Sequence, residues 1–164
     1  MDVLEQSAAY RKCGQMDFFS TRGAAQPRKI TELFSNGLAE DGGLFTPTQW
    51  PSLAGANLSA LKNASYPELC WSILSQFITA PEEREFYRSS ILDSFDQFGK
   101  DPSPKLTLVG GKIWSLELFN TPTLAFKDYA LFPLARLIDR ALQKRREQAT
   151  ILCATSGDTG ASTA

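Results

Sequence analysis

The sequence predicts an α/β protein in which an α+β leader is followed by the start of an open parallel sheet. Three observations lead there. The second half reads strand, helix, strand, glycine loop, start of helix, the order that carries a helix across a parallel sheet. Residues 149–155, Ala-Thr-Ile-Leu-Cys-Ala-Thr, form a continuous apolar run of strand length, the pattern of a parallel strand covered on both faces. The first half instead mixes short extended pieces with helices, separated by proline and glycine.

The elements follow in order. Met16–Gly23 reads as a short strand ending in a polar turn. From Lys29, the apolar positions Ile30, Leu33, Phe34 and Leu38 have helical spacing, which the Gly42-Gly43 pair stops. Residues 44–51 are extended, because Pro47 and Pro51 deny regular helix. Tyr66–Ile78 predicts an amphipathic helix with Leu69, Ile73, Leu74 and Phe77 on one face. A second helix starts at Pro81, a residue suited to the first helical position, and runs towards Phe98. Residues 105–118 predict a hairpin or two short strands around Gly110-Gly111. Ala130, Leu131, Leu134, Leu137, Ile138, Ala141 and Leu142 then mark a helix in which Pro133 predicts a kink or the true first turn. Cys153, in the apolar run after it, is expected to be buried and inert.

Composition narrows the function. The 164 residues, 43% hydrophobic, suit one globular domain with a small appendage. A net charge of −1 carries no electrostatic footprint for nucleic acid. The basic run Lys144-Arg145-Arg146 reads as a solvated helix C-terminus that suits the dipole. Cys13, Cys70 and Cys153 have no metal-like spacing and argue for a reducing compartment. No apolar run reaches the roughly 18 residues of a membrane span, and residues 1–15 resemble no signal or transit peptide. Cytoplasm is therefore the expected location. The absence of histidine removes catalysis by a histidine base and most catalytic zinc sites. Any proton transfer falls to Lys, Asp, Glu, Tyr or a cofactor.

Two stretches carry chemistry. Ser156, Gly157, Asp158, Thr159 and Gly160 follow the apolar run, where open α/β folds bind ligands. Glycine backbone, hydroxyls and a helix N-terminus together suit a carboxylate or phosphate. Ordinary capping explains the same residues equally well. The second stretch, Leu124-Ala125-Phe126-Lys127-Asp128, sets a lysine among apolar neighbours before a helix. Desolvation there would favour the neutral amine needed to form a Schiff base. A lone lysine in such a pattern more often lies on the wet side of its helix.

Taken together, the two stretches resemble the active-site pattern of the fold-type II pyridoxal-phosphate enzymes, and within them the threonine synthases. The motifs FFSTRG, LFSNGLAEDGGLFTP, SYPELCWSIL, LELFNTPTLAFKD and TILCATSGDTGAS occur in the family's order over most of the chain. The resemblance implies that Lys127 is the Schiff-base lysine, flanked by Phe126 and Asp128. It implies that Phe126 and Asp158 lie at the cofactor, pyridoxal phosphate. It further implies that Ser156, Gly157, Thr159 and Gly160 hold the substrate carboxylate. Asn120 and Thr121 stand where many threonine synthases carry His and Gly, which withdraws a titrating group and glycine's conformational freedom at those two positions.

The implied activity is a lyase of threonine biosynthesis, turning O-phospho-L-homoserine and water into L-threonine and phosphate. A related pyridoxal-phosphate-dependent phospholyase, or a non-catalytic fragment or pseudoenzyme, is the alternative. The implied organisation is an N-terminal extension at 1–15, a threonine-synthase-type N-terminal domain at 16–104, and a truncated start of the cofactor-binding α/β domain at 105–164. Met16 then reads as the functional start, with residues 1–15 poorly ordered. The cofactor-phosphate cradle and the partner of the pyridine nitrogen are expected beyond Ala164, and the chain alone is expected to be an inactive, marginally folded fragment.

Overall fold

Phe18 and Phe19 can be buried only if the polar backbone between them is bonded, and a two-stranded ladder does this. The computed structural model describes residues 16–52 and 61–163. In it β1 (Phe18–Ser20) runs antiparallel to β2 (Phe45–Pro47), pairing Phe18 with Pro47 and Ser20 with Phe45. Arg28 adds a bridge to Phe18. The expected poor order of residues 1–15 lies outside the described residues.

The helix expected from Lys29 to Leu38 is one turn only, α1 (Ile30–Leu33). Further on, a side chain organises the loops on either side of the strand pair. The carboxylate of Asp41 accepts hydrogen bonds from Ser20 Oγ at 2.7 Å, Gly43 N at 2.9 Å, Ala24 N at 2.9 Å and Ala25 N at 3.2 Å. These bonds fasten the loop after β1 to the loop before β2.

Two helices follow as the pattern predicts. In α2 (Tyr66–Leu74), the Glu68 carboxylate accepts from the Ser65 amide at 3.0 Å and hydroxyl at 2.7 Å, closing the N-terminus. A 3-10 turn at Ser75–Phe77 extends it. Pro81 opens α3 (Pro81–Asp93), losing no helical bond because an N–H there would have no helical acceptor. Its Tyr87 and Ile91, each 1% exposed, join Ile78, Phe95, Phe98 and Leu137 in the core. Burying a side chain of that size stabilises by about 1.5–3 kcal/mol.

β3 (Lys105–Gly110) and β4 (Ile113–Glu117) form the expected antiparallel hairpin. The register shifts between Leu108 and Gly110, leaving Val109 as an extra residue, a bulge. Leu106, Leu108, Trp114 and Leu116 are all exposed. The long helix α4 (Asp128–Arg145) contains Pro133 past its first turn, so the proline does not mark the helix start. At its C-terminus the basic run Lys144-Arg145-Arg146 is exposed, as expected. Lys144 Nζ donates to Glu83 at 2.9 Å and Arg145 Nη2 to Ser35 Oγ at 2.6 Å, tying α4 to α3 and to the leader. Arg146 adopts left-handed φ 56° and ψ 41°. Bonds from Arg146 N to Gln143 O at 3.1 Å and Glu147 N to Leu142 O at 3.0 Å complete a Schellman cap.

The apolar run at 149–155 forms no strand. Both sheets among the described residues are two-stranded and antiparallel. Leu152 is 93% exposed, and Cys153, expected to be buried, is exposed as well. A parallel strand requires neighbours to bond its backbone and layers to cover its faces, and none of the described residues takes either place. The chain ends its described course in α5 (Asp158–Thr163). Among the described residues no helix is long and apolar enough to cross a membrane.

Candidate active site

Lys127 stands at the N-terminus of α4, half-buried, with its carbonyl accepting from Ala130 N at 3.0 Å and Leu131 N at 2.8 Å. The turn before it is tightly tied. Thr121, buried, donates its hydroxyl to Ala125 O at 3.0 Å, and Leu124 N donates to Thr121 O at 3.0 Å. Position 121 needs no glycine, since the left-handed residue of the turn is Leu124, at φ 62°. A non-glycine residue held there stores about 1–3 kcal/mol of strain. Asn120 Nδ2 donates to Glu117 at 3.2 Å, which anchors the same turn to the hairpin.

The second stretch arrives from 32 residues further on. Lys127 Nζ donates to Thr159 Oγ1 at 2.5 Å. Thr159 is the second residue of α5, so the two sequence motifs meet through the side chains of a lysine and a hydroxyl. Gly157 precedes α5 at φ 143°, with open space where a Cβ would point; this is backbone that glycine adopts freely. Gly160 lies in α5 against Thr155. Ser156 and Asp158 are exposed, as is Phe126, at 56%. Thus Lys127 and Thr159 are brought into contact, while Phe126, Ser156, Gly157 and Asp158 surround them with open surface.

Asp128, named from sequence only as a flank of Lys127, has a structural part that the sequence did not reveal. It is 0% exposed. Its carboxylate accepts from Thr123 N at 2.8 Å and Thr123 Oγ1 at 2.7 Å. The Thr123 hydroxyl is in turn 3.2 Å from the Ser162 hydroxyl on α5. Burial by itself would raise the Asp128 carboxyl; hydrogen bonds from Ser162, Thr123 and Thr121 outweigh it and hold the group below its ordinary value. The available signal was the pair of threonines at 121 and 123 before a helix-opening aspartate, a pattern of local side-chain bonding.

A cavity of about 610 Å³ lies between α4, α5 and residues 151–153, lined by Leu131, Phe132, Ile138, Leu152 and Thr159 among others. It shares Thr159 with the Lys127 contact, but Phe126, Lys127 and the Ser156–Asp158 loop do not line it. The chemistry and this cavity therefore lie apart.

Known proteins resemble this chain in sequence and fold. Residues 17–95 match the family described as threonine synthase N terminus. Threonine synthase from Pseudomonas aeruginosa is 37% identical over 145 residues, covering 88% of this chain and 31% of that protein. Human threonine synthase-like 2 is 32% identical over 146 residues, covering 88% of this chain and 30% of its own length. Among solved structures, a PLP-bound threonine synthase from Brucella melitensis superposes with a TM-score of 0.83 at 36% identity, over 91% of this chain and 32% of that one. Yeast threonine synthase follows with a TM-score of 0.69 at 31% identity, over 79% of this chain and 27% of that one. The fold is thus that of the fold-type II class. Within it, the chain belongs to the threonine synthase family, whose N-terminal region it carries. It spans about a third of the length of the curated relatives it matches.

Proposed function

We propose that the whole protein is a pyridoxal-phosphate-dependent lyase of threonine biosynthesis, converting O-phospho-L-homoserine and water to L-threonine and phosphate in the cytoplasm. The observation that carries this reading is the Lys127–Thr159 contact, which joins the amine motif to the glycine-hydroxyl loop. The residues suit the cofactor: a half-buried amine stands beside an exposed aromatic ring, and Gly157 leaves open backbone for close approach. We assign Lys127 to hold the cofactor covalently, with Phe126 and Asp158 beside it. Ser156, Gly157, Thr159 and Gly160 take the substrate carboxylate. When bound, the cofactor supplies an electron sink that makes protons on the substrate's carbons removable.

The chain's own groups then do the following. The Lys127 amine, once free, accepts protons from Cα and Cβ of the substrate, as a neutral amine can. The Thr159 hydroxyl, within hydrogen-bond reach of Nζ, orients that amine. The open loop backbone at Gly157 lets amides approach an anionic carboxylate. The division into a leader domain at 16–104 and a cofactor-binding portion from 105 belongs to the same proposal.

The test uses the whole protein with pyridoxal phosphate, borohydride reduction and peptide mass mapping. The expected result is a reduced adduct on Lys127, absent in Lys127→Ala and Lys127→Arg, with phosphate release from O-phospho-L-homoserine falling by orders of magnitude in both. Arginine does not rescue because its guanidinium stays protonated. An adduct that persists elsewhere in both variants overturns the assignment.

A further inference from the structure

We infer that Asp128 is a positioning residue: its buried carboxylate, through Thr123 and Ser162, holds the turn before Lys127 and the helix carrying Thr159 in the arrangement that lets amine meet hydroxyl. The inference rests on the reading of Lys127 as the reactive amine. Three observations support it. The carboxylate is fully buried, and its two oxygens are engaged by the Thr123 amide and hydroxyl. The Thr123 hydroxyl continues the chain of bonds to Ser162 on α5, the same short helix that bears Thr159. And the turn that this chain secures contains Leu124 in left-handed backbone, with its side chain 75% exposed. No packing therefore holds Leu124 in place; the hydrogen bonds of Thr121, Thr123 and Asp128 do so.

Asp128 thus acts on Lys127 through geometry. Alanine at 128 suits the helix but has no acceptor for either bond. The Thr123 N–H and hydroxyl both lose their acceptor. The turn then relaxes, and α4 and α5 lose the link that aligns Lys127 with Thr159.

The experiment methylates the lysines reductively with 13C-formaldehyde and follows the dimethyl-lysine resonances of the protein. Lys127 is assigned by its loss in Lys127→Arg. Lys100 and Lys112, both exposed, mark the solvent position, and Lys144, bonded to Glu83, reports global folding. Wild-type Lys127 is expected to resonate apart from Lys100 and Lys112. Asp128→Ala is expected to move it to their position with Lys144 unmoved, and Ser162→Ala to move it partway. Adding Leu124→Gly to Asp128→Ala is expected to return it most of the way, because glycine holds positive φ without the clamp. The inference is overturned if Lys127 does not move in either single variant, if Lys127 and Lys144 move together, or if Leu124→Gly restores nothing. This readout uses neither cofactor nor turnover. A failure to find the adduct on Lys127 is therefore a separate result, which ends the reading of that amine as reactive.

Discussion

The Ser20 hydroxyl reaches across 21 residues to donate to Oδ1 of Asp41 at 2.7 Å. With the Gly43, Ala24 and Ala25 amides on the same carboxylate, this bond makes Asp41 the fastening of the leader. The Ser20 hydroxyl is the largest cause that lowers the Asp41 carboxyl to about 2 from an ordinary 3.8. A carboxylate whose folded value is depressed stabilises the fold above its unfolded value and loses that contribution as pH falls. Asp41→Asn should therefore melt below wild type at neutral pH, with the gap closing between pH 3.8 and about 2. A gap independent of pH across that window would refute the role of the charge.

Gly43→Ala should destabilise by about 1–3 kcal/mol, the usual range for forcing atoms into filled space. A Cβ there would lie 2.1 Å from Ser20 Oγ and 3.0 Å from both Arg22 N and Asp41 Oδ1. Gly37→Ala, where nothing lies within 4 Å, is the control and should change little. Denaturant midpoints of the two variants decide it.

Arg146→Gly should stabilise. The cap of α4 already uses a left-handed residue at 146, and for a residue with a Cβ that conformation costs roughly 1–2 kcal/mol. Part of the gain is lost to glycine's greater freedom when unfolded, leaving a rise in melting temperature of about 2–4 °C. Calorimetry showing a lower melting temperature would count against the cap as described.

Thiol labelling should separate two cysteines. In a Cys13→Ser background, Cys153, exposed, should react with a disulfide reagent within the mixing time of a native sample. Cys70 is partly buried, and desolvation raises its thiol above the ordinary value despite a bond with Tyr66, so it should lag by at least tenfold at pH 7. Equal rates would contradict the packing around Tyr66.

Helices α2, α3 and α4 and the β3–β4 hairpin were legible in the sequence because their signals are local: apolar spacing, Pro81 at a start, Gly110-Gly111 at a turn. The shortening of α1 was not, because the apolar spacing continues to Leu38 while the backbone turns away at Asn36, whose amide bonds Leu33 O. Residues 149–155 carry the composition of a covered strand, but composition supplies no partners, and Leu152 stands in the open. At the candidate site, Lys127 and the 156–160 loop were legible as motifs. Their meeting at Thr159 depends on how α4 and α5 are set against each other, which the Asp128–Thr123–Ser162 chain governs and no periodicity reveals.

The aromatic rings of the core have an optical consequence. Tyr66 meets Phe95 and Tyr129 edge to face at 5.2 and 5.4 Å, and Tyr87 meets Phe34 and Phe86 at 5.2 and 5.0 Å. Burial raises the phenols of all three tyrosines. Every tyrosine of the chain but Tyr10 is thus fixed in an asymmetric ring environment. Near-ultraviolet circular dichroism in the tyrosine band therefore reports on the packing of α2, α3 and α4. Its spectrophotometric titration in alkali should lag well behind free tyrosine until that packing gives way, so the core carries its own chromophoric probe.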